Sequence, residues 1–206
     1  DTLASTGNVI LTTSGTAGHV TIDNGTTALG VQGTVSGDLV LTSGESIMDS
    51  AALSVTGTTT VTTDVADKTI TLDTLASTGN VILTTSGTAG NVMIDNGTTA
   101  LGVQGTVSGD LVLTSVGAVD LGASTVSGTL GITSGGTVTS SGKSAITGAT
   151  TISASGQAVS LTNADSSFGD FSVTAKDVYI VESGSFSSTS ITVSYTHLTL
   201  PTILLV

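Results

Sequence analysis

The side chains able to do chemistry in this chain are few, and their spacing is the first limit on what it does. There are three lysines (Lys68, Lys143 and Lys176), fifteen acidic residues, two histidines, no arginine and no cysteine. A Ser/His/Asp triad needs an imidazole beside a serine. His19 is the sole candidate outside the last residues, and its counterpart in a second copy of the same sequence is Asn91, so a catalytic imidazole is not expected. Asp64 with Asp67, and Asp165 with Asp170, are close in sequence. Such pairs suit hydrolysis by two carboxylates, but the lysines are scattered and solvated turn residues are the better reading. Asp23-Asn24-Gly25 and its copy Asp95-Asn96-Gly97 carry oxygen atoms that calcium would accept, without the glycine-rich nonapeptide array that binds it, so they read as turns. The run TTTVTT at 58–63 suggests a threonine ladder able to order water, as an ice binder would. That requires Thr-x-Thr at one place in consecutive coils, and only isolated instances align. The sequence therefore offers no catalytic residue, no cofactor site and no metal site.

The elements that would position any site are repeats. Residues 1–43 return at 73–115 with two changes, His19 against Asn91 and Thr21 against Met93. In HVTID (19–23), Val20 and Ile22 alternate with His19, Thr21 and Asp23, the period of a half-buried strand. Both changes fall on the polar parity, where solvent is expected. Similar runs recur about every ten residues: NVILTT near 10, DLVLTS near 40, ALSVTG near 54, TTTVTTD near 61 and KTITLD near 70. Between them Ser14-Gly15, Asn24-Gly25, Ser36-Gly37, Ser43-Gly44 and Thr56-Gly57 read as turns, because glycine accepts positive φ. No helical period is sustained, and proline is absent from residues 1–192, as uninterrupted backbone pairing requires. The chain is all-β.

How the repeat grows separates a solenoid from a sandwich. TVSGDLVLTS (106–115) is echoed by TVSGTLGITS (125–134), an offset of 19 residues, and the segment 133–156 then resembles 42–64, aligning Gly57 with Gly148 and Val61 with Ile152. A sheet sandwich, including a bacterial immunoglobulin-like module, does not absorb nineteen residues in mid-sheet without losing strand pairing. A solenoid stacks one more coil. The reading is a parallel β-helix (β-solenoid) with coils of about 20 residues over residues 1–192. Its inward residues include Val20, Ile22, Leu39, Leu41, Leu53, Val55, Ile70 and Leu72, and Phe168, Phe171, Tyr179 and Phe186 fill its core or edge.

Composition excludes some partners. A net charge of −12 argues against nucleic acid and against anionic lipid, and no apolar stretch is long enough to span a bilayer. Lack of cysteine fits a chain that crosses an envelope unfolded. The chain opens at Asp1 inside a repeat, which reads as a piece of a longer protein. VSYTHLTLPTILLV (193–206) breaks the composition, and its first ten residues resemble the translated read-through of a sequencing-library adapter, so this tail is read as non-native.

The motifs GNVILTTSG, TVSGDLVLTSG, VTGTTTVTTD and GDFSVTAKDV together resemble the repeats of filamentous haemagglutinin-like proteins, large secreted or surface-attached bacterial adhesins. That resemblance implies a right-handed parallel β-helix forming a long fibre, exported through an outer-membrane transporter to the bacterial cell surface. The expectation is a structural shaft segment of an extracellular adhesin or matrix fibre, not an enzyme, touching glycans or neighbouring cells through its polar outer face. The alternatives are a carbohydrate-active β-helix enzyme (polysaccharide lyase or hydrolase) and an ice-binding solenoid.

Overall fold

The computed structural model describes residues 3–183 and 187–194, and every regular element among them is a strand. Nineteen strands join in one sheet, and every pairing is parallel. The chain is a β-solenoid. One column of stacked residues makes the winding visible: Leu29, Ile47, Ile70, Val92, Leu111, Leu130, Thr150, Phe171 and Ser188 each pair with the next, nine levels separated by 17 to 23 residues. The nineteen-residue insertion is one whole coil, for Thr106 pairs with Thr125 and Leu111 through Ser115 pair with Leu130 through Ser134.

Alternation in sequence becomes inside and outside. Ile22, Leu39, Leu41, Leu53, Val55, Ile70 and Leu72 all lie in the core, while Val20, in the first coils, is half-buried against it. The two differences between copies are exposed, as their parity requires. Phe168 and Phe171 fill the core edge to face, with ring centroids 5.8 Å apart. Tyr179 departs from the expectation: at 62% exposed it faces solvent, because Val178 and Ile180 on either side take the inward parity. Phe186 and residues 195–206 lie outside the described residues, whereas Val193 closes the last strand and the Ser194 amide donates to the Ala175 carbonyl.

Corners explain the glycines, for the expected reason only in part. Gly15 and Gly25 do have positive φ, at 87° and 56°. Gly37, Gly44 and Gly57 lie outside that set; they are needed because coils touch there. A Cβ on Gly57 would sit 2.7 Å from the carbonyl carbon of Gly37, and one on Gly148 would sit 2.5 Å from the Gly128 oxygen. The Gly57 amide donates to Gly37, and Gly148 to Gly128, so a glycine stands over a glycine at these two corners.

A second device is buried asparagine. Asn96 is fully buried: its Oδ1 accepts the Ser77 amide at 2.7 Å, and its Nδ2 donates to the carbonyls of Ser77, Thr99 and Ala100 at 2.9, 3.2 and 2.9 Å. Asn24 repeats this with Ser5, Thr27 and Ala28. The side-chain amide stands in for a peptide where two coils would otherwise lose their pairing.

The near-identical copies do not stand on the same face. Val20 pairs with Leu39, Leu39 with Thr59 and Thr59 with Val81, so three coils return the chain to a point directly over Val20. Val92, the copy of Val20, lies eleven residues past Val81 and belongs instead to the column of Leu29, Ile47 and Ile70. A step of 72 residues is thus three coils plus one face. With three strand positions per coil, the second copy is turned by about a third of a revolution.

Candidate functional site

A segment between strands in both copies is the loop TSGTAG, followed by His19 in the first and Asn91 in the second. In the second copy it connects the strands Val81–Thr84 and Val92–Asp95. Its base is a clamp of two buried hydroxyls. Thr85 Oγ1 donates to the Gly90 carbonyl at 2.8 Å and accepts the Ser108 amide at 2.9 Å, while Ser108 Oγ accepts the Gly90 amide at 3.2 Å. The first copy is built alike, with Thr13 to Gly18 at 3.0 Å, Ser36 to Thr13 at 2.8 Å and Gly18 to Ser36 at 3.2 Å. From the coil below, Asp67, in the left-handed region at φ 63°, accepts the amides of Thr88 and Ala89 at 2.6 and 2.8 Å. Those amides hold its carboxyl below the usual range.

Beside the loop runs an open groove of about 560 Å³ floored by Ser108, Gly109, Asp110, Ser127 and Gly128, with Asn91 on its wall. Asn91 Oδ1 accepts the Asp110 amide at 2.8 Å, and Asp110 Oδ1 in turn accepts the Thr129 amide at 2.7 Å and the Thr129 hydroxyl at 2.9 Å. The Thr129 amide, then its hydroxyl, lower the Asp110 pKa. In the first copy His19 Nδ1 accepts the Asp38 amide at 2.9 Å and Asp38 Oδ1 accepts the Thr58 amide at 2.8 Å. An imidazole nitrogen and an amide oxygen serve as the same acceptor, which is the physical reason the position takes either residue.

The other candidates carry local tasks. Asp67 is the loop cap just described, Asp64 donates its amide to Ser43, Asp165 folds back on the Asn163 side chain, and Asp170 accepts the Ser187 hydroxyl at 2.8 Å. Lys68 meets Glu45 at 2.8 Å and Lys176 lies 3.9 Å from Asp177. Asp23 and Asp95 each accept the amide two residues on, at Gly25 and Gly97, both at 2.8 Å, which is an ordinary Asx turn. Among the described residues no three His, Asp or Glu side chains converge as metal ligands.

Sequence reading missed the hydroxyl files. Of TTTVTT, Thr59 and Thr63 point inward and are buried, while Thr62 joins an outward file, Thr42, Thr62, Thr84, Thr106 and Thr125, one per coil over five coils. On the next face Thr114, Thr133, Ser153, Thr174 and Thr192 do the same, and Thr151, Ser172 and Ser190 flank the last three. Steps between coils are unequal, so a fixed spacing cannot find these files.

The chain matches the profile of a repeat family, repeats of unknown function (DUF5649), twice, over residues 17–84 and 108–175, together about two-thirds of its length. It belongs to this family. No curated protein and no solved structure matches it. Both matched segments of the DUF5649 chain consist of stacked strands and hold one of the carboxylates Asp38 and Asp110.

Proposed function

We propose that the chain is a shaft segment of an extracellular bacterial adhesin or matrix fibre. One observation carries the reading: nineteen extra residues add one coil and leave the strand register above and below intact. Length is therefore adjustable without a change of cross-section, which is what a spacer needs. At about 4.8 Å per coil, nine levels reach roughly 40 Å, and each 72-residue copy adds about 16 Å. The segment would reach the cell surface through an outer-membrane transporter and hold a binding region away from the envelope, with glycans or neighbouring cells as its contacts.

The test places arrays of increasing coil number between a surface anchor and a known binding module on capsulated cells. Attachment to ligand-coated beads rises with coil number if the array is a spacer. Attachment independent of coil number rejects the reading.

The outward hydroxyl files favour a second reading, an ice-binding face. Ice recrystallisation assays on the whole chain decide it: inhibition that disappears on Thr133→Asp and Thr174→Asp supports it, and no inhibition by the unaltered chain discards it.

A further inference from the structure

The strongest unexplained feature is that two copies of one built surface face different directions. Each consists of a loop locked at its base by two hydroxyls and a nitrogen-bearing side chain that accepts the backbone amide of an aspartate on the next coil, and beside the second copy lies the open groove of about 560 Å³. Among the described residues, the Asn91 amide nitrogen and Asp110 Oδ2 make no hydrogen bond, since Oδ1 of each serves the backbone. In the first copy His19 Nδ1 accepts the Asp38 amide, Asp38 Oδ2 lies 3.2 Å from that same nitrogen, and among the described residues Nε2 makes no hydrogen bond. Each copy thus carries one side-chain nitrogen and one carboxylate on neighbouring coils, joined through the aspartate's backbone amide. That pairing suits vicinal hydroxyls, which accept through one oxygen and donate through the other. An acidic, arginine-free chain disfavours sulfated or uronic sugars.

We infer that Asn91 with Asp110, and His19 with Asp38, are equivalent subsites for the hydroxyls of a neutral glycan. Because the copies stand one face apart, the two subsites face different directions. This rests on the adhesin reading and deepens it: the shaft bridges partners on different sides rather than lying along one surface. Without an aromatic platform in the groove each subsite binds weakly, and attachment depends on engaging both. A third copy would occupy the remaining face, and a fourth would return to the first.

Beads coated with mannan, galactan or dextran, mixed with the whole chain, test it. Asp38→Asn and Asp110→Asn keep the Oδ1 that serves the backbone and replace Oδ2, which in Asp38 lies 3.2 Å from His19 Nδ1, so an unchanged melting temperature confirms folding. The unaltered chain is expected to bind one of the three polysaccharides and to cluster those beads. Each single variant should bind at least tenfold more weakly and fail to cluster them, and the double variant should not bind. Clustering by a single variant, binding by the double variant, or no binding by the unaltered chain overturns the inference. Failure of the shaft itself is read separately, as attachment independent of coil number.

Discussion

Asn96 replaces a strand for Ser77: its amide oxygen takes the Ser77 N–H at 2.7 Å and its nitrogen gives a hydrogen to the Ser77 carbonyl at 2.9 Å. Two further carbonyls, Thr99 and Ala100, depend on the same nitrogen. Asn96→Ala leaves the Ser77 amide and carbonyl buried without this partner, while the Thr99 carbonyl keeps the Ser115 hydroxyl, and the expected loss is about 3 kcal/mol. Urea unfolding measures it, and a loss below about 1 kcal/mol would show that water fills the gap.

Ile94 is fully buried and Met93 is 44% exposed. Ile94→Asp should cost upwards of about 4 kcal/mol, since a carboxylate would enter an apolar column, whereas Met93→Thr restores the residue of the first copy at almost no cost. Equal melting temperatures for the two variants contradict the assignment of inside and outside.

Gly148→Ala tests the corner stack. Its Cβ would lie 2.5 Å from the Gly128 carbonyl oxygen, and coils must separate to admit it, at about 2 kcal/mol or more. Gly156, at φ 76° with open space around its Cβ position, should lose only about 1 kcal/mol as alanine. The reverse order in thermal unfolding would place the strain in φ and not in contact.

Ser124 and Ser144 pair in adjacent coils, and among the described residues both buried hydroxyls lack a partner. The void beside Ser124 has no room for water. Ser124→Ala should therefore stabilise the chain, by about 1 kcal/mol. A melting temperature below that of the unaltered chain argues that the hydroxyl is satisfied in solution.

Acid should weaken the loop cap. The folded pKa of Asp67 lies below its reference value of 3.8, so its stabilisation is complete above that value and is lost as pH falls through the folded one. Asp49 acts oppositely: burial raises its pKa, only partly offset by the amides of Thr74 and Asp73, so it opposes folding most at neutral pH and ceases to below 3.8. Asp67→Asn, which tolerates the same left-handed backbone, should be less stable than the unaltered chain at about pH 6 and equal to it once Asp67 is protonated. A difference that persists in acid assigns the effect to something other than charge.

Alternation, repetition and the nineteen-residue offset determined the fold from sequence, because each is local: parity sets which side chain is buried, and a unit that inserts whole must stack. The bent strands Leu29–Val35 and Leu101–Val107 were not legible, since Gly33 and Gly105 interrupt the alternation where the chain turns a corner. Nor was the role of Asn24 and Asn96, whose partners in the neighbouring coil, Ser5 and Ser77, sit 19 residues away. Only the tertiary structure decided which residues meet across coils. Coil length varies from one level to the next, so the column above a residue depends on every corner passed on the way round. That accumulated phase collects scattered threonines into files and sends identical sequence at Val20 and Val92 to different faces.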